Sequence, residues 1–184
     1  YAGQIWPLPQ TGQMWLEYEM LKNPEPPGYF CVSTSYRNEP NPIPGRHDLI
    51  FPMFEFELKG DMNELIKLEN ELLEHLGYGD KDTYGSDDYD NIAQKYDVLE
   101  LEHKHEKQLY EENGPVYFIK NFPEHTSPFW NMKRHDDGDL AKKVDVILSG
   151  QETIGSAERE VDKKIMFKKF RTIMNGKYKD KMYE

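Results

Sequence analysis

Two runs of strand-forming residues, GYFCVSTSYR over Gly28 to Arg37 and LIFPMFEFEL over Leu49 to Leu58, are joined by the short loop NEPNPIPGRHD. Aromatic and β-branched residues mark both runs, Pro and Gly punctuate the loop, and Phe54, Phe56 and Leu58 alternate with Glu55 and Glu57. This predicts an antiparallel pair connected by the Pro-Gly loop. Period-two geometry then puts Arg37 and Glu39 on one face of an extended segment.

Helices surround this hairpin. TGQMWLEYEMLK reads as a helix with Thr11 available as a cap and Met14, Tyr18 and Leu21 at helical spacing, stopped by NPEPPG. GDMNELIKLENELLEHLGYG is the clearest helix, with Asp61 and Glu64 as a cap pair, Leu65, Ile66, Leu68, Leu72, Leu73 and Leu76 as an apolar stripe, and Gly77 as the stop. The acidic stretch over about 79–113 reads as an insertion, weakly helical at best in its second half. Val116 to Lys120 and Val144 to Leu148 are further strands, and the tail is a helix with Ile165, Met166, Lys169, Phe170 and Ile173 toward one side. Helices among mostly hairpin-connected strands imply an α+β fold, an antiparallel sheet flanked by helices. A length of 184 residues with neither repeat nor long linker points to one domain.

Composition narrows the function. A formal net charge of -11 argues against a large nucleic-acid footprint, although a local pocket of oriented donors for a nucleotide remains compatible with it. The single cysteine, Cys31, lies in the apolar run YFCV, so no internal disulfide can form and a reducing, cytoplasmic setting is expected. No apolar window approaches the roughly 20 residues of a membrane span, and YAGQIWPLPQ lacks the layout of a signal peptide. A start at Tyr1 suggests that more of the reading frame exists.

The hairpin carries the densest chemistry. Arg37 and Glu39 can grip a phosphate and an exocyclic amine, Arg46 and His47 can close over outer phosphates, and Phe51 can stack on a base. Taken singly, each has a plainer reading: a half-exposed cross-strand pair for Arg37 and Glu39, a loop histidine for His47, a core position for Phe51. Asp145 and Glu152, near strand ends, can bring two hard oxygen ligands to one magnesium ion, or can be a solvated turn. Arg159 offers a fork for a carboxylate, or pairs with Glu158 or Glu160. His103 and His105 stand two apart on a helix and do not face one site.

SYRNEPNPIPGRHDLIFPMFEFE resembles motif 2 of the class II aminoacyl-tRNA synthetases, asparaginyl/aspartyl branch, in which an R-x-E pair, a mobile loop, an R-H pair and a Phe follow in that order. TGQMWLEYEM is similar to that branch's helix start, FPEHTSPFWNMKR to its proline-led strand, and VDVILSGQETIGSAERE to its strand-turn-strand with Asp, Glu and Arg at seven-residue steps. The resemblance implies an ATP-dependent ligase of the AMP-forming kind. Arg37 and Glu39 would hold the α-phosphate and the adenine amine, Arg37 as the catalytic cation. Arg46 and His47 would reach the outer phosphates, and Phe51 would stack on adenine. Asp145 and Glu152 would gather Mg2+ with the phosphates, Gln13 would lie near the amino acid's ammonium group, and Arg159 would bind its side chain.

Leu16 stands where aspartyl-type enzymes carry a lysine, which leans the match to the asparaginyl side. EPNPIPGRH and EHTSPFWNMKR are similar to the stand-alone archaeal-type asparagine synthetases, in which ATP-activated aspartate is attacked by ammonia. The alternatives are a catalytic fragment of an asparaginyl-tRNA synthetase, with asparagine and tRNA as substrates, and a non-catalytic relative. Neither the family's motif 1 nor its glycine-rich motif 3 is seen, so the chain resembles an interior portion of a catalytic domain from a family of homodimers.

Overall fold

The computed structural model describes residues 8–45, 47–136 and 138–176. The chain divides at Lys59 and Gly60 into two compact units.

The first unit holds helix α1 (Gln13–Lys22) and strands β1 (Gly28–Tyr36) and β2 (Ile50–Leu58). The strands pair antiparallel from Gly28 opposite Leu58 to Tyr36 opposite Ile50, as the alternation predicts. The strand ends one residue earlier than expected, and Arg37 adds one more rung by donating its N–H to Leu49 O at 2.8 Å. Gly12, not Thr11, occupies the cap of α1, while Thr11 Oγ1 accepts the Gln13 N–H at 3.0 Å. Alternation decides two unlike faces. Phe30, Val32, Phe54 and Ile50 stay 72%, 71%, 57% and 64% exposed, and the opposite face buries Ser35 and Glu55. The helical stripe Met14, Tyr18 and Leu21 is likewise exposed; Leu16 is the buried residue of α1.

The second unit holds α2 (Met62–His75), β3 (Gly85–Asp88), α3 (Tyr89–Lys95), α4 (His103–Asn113), β4 (Val116–Phe122), β5 (Ala141–Leu148), β6 (Gln151–Ala157) and α5 (Lys163–Gly176). Its sheet runs in the order β3-β4-β5-β6. The α+β expectation holds, with one amendment: β3 pairs parallel to β4, and the other pairings are antiparallel. The central strands are buried on both faces. On one side Val116, Phe118, Val144, Val146 and Leu148 pack with Met62 and Leu73 of α2. On the other, Tyr117, Ile119, Phe122, Ala141 and Ile147 pack with Tyr89, Ile92, Ala93 and Leu109 from α3 and α4.

The acidic stretch 79–113 therefore contributes a strand, two helices and core side chains. Its helices are short and polar, so local propensity hardly signals them; tertiary packing of a narrow apolar edge stabilises them. His105 shows the same logic: it is buried, its Nδ1 accepts the Glu102 N–H at 2.8 Å, and its ring stacks on Tyr96. Helix α2 has the expected capping box of Asp61 and Glu64, and Gly77 beyond it takes φ 90°. Its stripe is not wholly as expected, because Leu68 and Leu76 are 38% and 60% exposed while Glu69 is fully buried. In α5, Phe170 meets Trp130 edge-on and Lys169 reaches Glu124 at 2.7 Å. Among the described residues no helix is long and apolar enough to cross a membrane.

Candidate functional site

At the end where β1 and β2 open into the loop, the Arg37 guanidinium carbon lies 5.5 Å from the centre of the Phe51 ring. Phe51 is held opposite Ser35, whose buried hydroxyl donates to Gln10 O at 2.7 Å. Arg37 and Glu39 lie beyond the strand rather than on it, and Arg37 stays exposed. Glu39 and His47, on opposite limbs of the loop, come within 2.8 Å of each other. The hairpin thus brings Arg37 to Phe51 and Glu39 to His47; Arg46 lies outside the described residues.

Glu55, which the sequence reading passed over, organises the adjoining face. Its carboxylate accepts the Gly12 N–H at 2.8 Å, the Ser33 hydroxyl at 2.6 Å and the Thr11 hydroxyl, and Cys31 Sγ lies 3.9 Å away. Burial pushes the Glu55 carboxyl up, but the bonds from Ser33, Thr11, Gly12 and Cys31 outweigh it and hold it below the ordinary value. Its own burial, and then the neighbouring Glu55 carboxylate, push the Cys31 thiol up instead. This network anchors the start of α1, where Gln13 Nε2 donates to the Glu57 carboxylate and to Phe56 O at 3.4 Å. The period-two alternation that made Phe54 and Phe56 conspicuous also placed Glu55 and Glu57 on the face beneath α1.

In the second unit, Asp145 is central in β5, opposite Ile119 on β4 and Gly155 on β6. It is 5% exposed. Lys143, two residues earlier on the same face, donates to Asp145 Oδ2, while Oδ1 has no hydrogen-bond partner among the described residues. Burial raises the Asp145 carboxyl despite the attraction of Lys143. A register shift after Val146 brings Glu152 opposite Ile147, onto the Asp145 face. A Cβ added at Gly155 would lie 3.1 Å from Glu152 Oε1 and 3.6 Å from Asp145 Oδ1, so the two oxygens converge over that glycine. Two carboxylate oxygens above a residue without a side chain fit a hard cation that takes its other ligands from phosphates and water.

Arg159 follows β6 in an isolated antiparallel bridge with Met132. Its neighbour Glu158 is committed to Lys133 at 2.7 Å and Lys142 at 2.9 Å. The backbone of Glu160 is fixed too, its N–H donating to the carbonyl of buried Asn131 at 2.8 Å. Lys143 was also missed at the sequence level, although its two-residue spacing from Asp145 on a strand was the available signal.

The sequence matches the family model for tRNA synthetases class II (D, K and N) over residues 1–184. A curated relative, the aspartate-tRNA(Asp) ligase of Pyrobaculum aerophilum, is 39% identical over 54 residues, 29% of this chain and 12% of that protein. Asparaginyl-tRNA synthetase of Entamoeba histolytica, in complex with asparaginyl-adenylate, superposes with TM-score 0.78 at 21% identity, covering 96% of this chain and 47% of that one. The Pyrococcus horikoshii asparaginyl-tRNA synthetase complexed with asparaginyl-adenylate gives 0.74 at 22% identity, over 89% and 44%. Aspartyl tRNA synthetase from Entamoeba histolytica gives 0.75 at 19% identity, over 94% and 43%. The chain covers less than half the length of these solved relatives, and its matching 54-residue stretch covers about an eighth of the curated one.

Proposed function

The chain belongs to the class II tRNA synthetases (D, K and N), and from that premise we propose that it carries an ATP-dependent, AMP-forming ligase site for aspartate or asparagine. The observation that carries this reading is the Arg37–Phe51 cation–π contact and the Glu39–His47 pair at the open end of the hairpin. An exposed guanidinium is a fixed fork for phosphate oxygens, and the aromatic ring offers its face to a base. In this reading Arg37 meets the α-phosphate, Glu39 accepts from the adenine amine, Arg46 and His47 reach the outer phosphates, and Phe51 stacks on adenine. Gln13 lies near the ammonium group of the amino acid and Arg159 binds its side chain. Asp145 and Glu152 would hold magnesium, which when bound supplies positive charge against the phosphates.

The finer reading takes aspartate as substrate. A side-chain carboxylate oxygen attacks the α-phosphorus, the bond to the bridging oxygen breaks, and pyrophosphate leaves with that electron pair. Ammonia then adds its nitrogen to the acyl carbon of the β-aspartyl adenylate, AMP departs, and the surplus proton passes to water. Arg37 steadies the charge that develops on the α-phosphate, so the protein contributes position and electrostatics rather than a covalent intermediate. The net charge of -11 supports this over docking of a large nucleic acid.

A second reading is supported by the solved relatives whose names include asparaginyl-adenylate. There the α-carboxylate of asparagine is activated and passed to a tRNA 3' end. Pyrophosphate exchange into ATP separates the two: exchange supported by aspartate is expected, and exchange with asparagine alone overturns the finer reading. Arg37→Ala is expected to lower exchange by about 10²–10³-fold, the usual cost of one preorganised donor. If neither ATP nor an adenylate analogue raises the thermal midpoint, the ligase reading itself falls. The reading includes a homodimer, checked by sedimentation.

A further inference from the structure

The ammonium group of Lys143 is held from two sides. It donates to Asp145 Oδ2 and lies 3.9 Å from the centre of the Phe122 ring on the neighbouring strand. The side chain is 21% exposed and that of Asp145 7%, so the pair is largely removed from solvent screening. Lys143 touches only one of the two oxygens of Asp145. The other, Oδ1, points toward Gly155 and the approaching Glu152 oxygen. A third carboxylate stands close by, since Glu106 Oε2 accepts the Glu152 N–H at 3.1 Å and its charge acts on Asp145. Asp145 and Glu152 thus present two carboxylate oxygens to one space above Gly155.

We propose that Lys143 is a positioning residue, an internal counter-cation that holds one oxygen of Asp145, turns the other toward Glu152, and tunes the pair so that a divalent cation enters together with nucleotide phosphates and not before. The proposal rests on the reading of Asp145 and Glu152 as metal ligands. A fixed positive charge a few ångströms from a divalent ion lowers the ion's affinity for the bare protein. Phosphate oxygens bring the negative charge that Lys143 has cancelled, and the site then accepts the ion with its nucleotide. The Phe122 ring limits where the ammonium can go, so Lys143 stays beside the carboxylate pair instead of extending to water.

The test is Mn2+ binding to the 184-residue protein, followed by loss of the free-ion electron paramagnetic resonance signal, with and without a non-hydrolysable ATP analogue. In the absence of nucleotide, Lys143→Met is expected to bind Mn2+ at least about tenfold more tightly than the parent, the scale of one removed unit of repulsion. Lys143→Arg should behave as the parent, because it retains the charge; a merely structural lysine would not distinguish these variants in Mn2+ affinity. Asp145→Asn combined with Lys143→Met should abolish the gain. Unchanged or weaker Mn2+ binding by Lys143→Met overturns the proposal. If Asp145→Asn leaves Mn2+ uptake with the ATP analogue unaltered, the reading of Asp145 as a metal ligand fails, and the role of Lys143 falls with it. Should Lys143→Met not fold, judged by circular dichroism, Lys143→Gln replaces it under the same two expectations, since its amide can still donate to Asp145.

Discussion

Glu55 in the hairpin unit and Glu69 in the four-stranded unit are both buried, at 6% and 0% exposure, yet burial has opposite outcomes for them. Glu55 is surrounded by donors from Gly12, Thr11 and Ser33, and its carboxyl sits below the ordinary value. Glu69 faces the interior side of α2, where neither oxygen has a hydrogen bond of good geometry among the described residues; the nearby Ser156 hydroxyl donates to Val144 O at 3.3 Å. Burial therefore dominates and pushes Glu69 up to about 7, against an opposing effect of Ser156 and with a further rise from Asp145. The hairpin is a polar scaffold whose acid is part of its structure. The four-stranded unit is a mainly apolar body, and burial there favours the protonated form of its acid.

The largest expected effect lies in the apolar body. Phe118→Ala, at a residue 2% exposed between β3 and β5, is expected to cost about 3–5 kcal/mol in a denaturant titration. A cost under about 1 kcal/mol would mean that this sheet is no better packed than the hairpin, breaking the comparison.

Second comes the pH response. Between the ordinary carboxyl value of 4.5 and the folded value of about 7, the folded protein keeps a proton on Glu69 that the unfolded chain has released. The folded state binds more protons in that window, so stability falls as pH rises through it, by up to about 3 kcal/mol between pH 4.5 and 7.5. Glu69→Gln should flatten this slope and be more stable than the parent at pH 7.5. A parent slope that persists in the variant would assign the effect elsewhere.

Glu55 should respond in the other direction. Its value is lowered from 4.5, so its contribution is present above that value and is lost as pH falls through the folded one. Glu55→Ala, which strands the Gly12 N–H and two hydroxyls, is expected to cost about 2 kcal/mol, read as faster amide exchange at Gly12 and Gln13. Exchange unchanged at those two amides would remove Glu55 from the scaffold. The smallest effect is expected for Phe54→Ala, 57% exposed on the hairpin's open face, below about 1 kcal/mol by the same denaturant titration.

Much of the fold was legible because its signals are local. Alternation over 49–58 and the bracketing Pro-Gly loop specify an antiparallel hairpin, and Asp61, Glu64 and Gly77 delimit α2 by backbone chemistry alone. The parallel strand β3 was not legible, since GSDD carries neither β-branched nor aromatic residues and owes its conformation to pairing with β4. Nor was the core role of α3 and α4, whose few apolar residues amount to a weak stripe until the sheet is there to receive Tyr89, Ile92, Ala93 and Leu109. Of the candidate site, the motif order singled out Arg37, Phe51, Asp145 and Glu152. It did not single out Lys143 or Glu55, because an acid or a lysine on a strand looks solvated until its neighbours are known.

By itself, then, the order of residues determined the two hairpin strands and helix α2, where they stop, and which face each of their side chains takes, because those depend on periods of two and 3.6 residues and on caps a few positions away. Only the tertiary structure decided which of those faces became interior. It left Phe54 in water and drew Glu55 inward, and it set Asp145 between a lysine and a glycine. The free energy of a carboxylate depends on the donors, charges and water that surround it, and these come from residues distant in sequence.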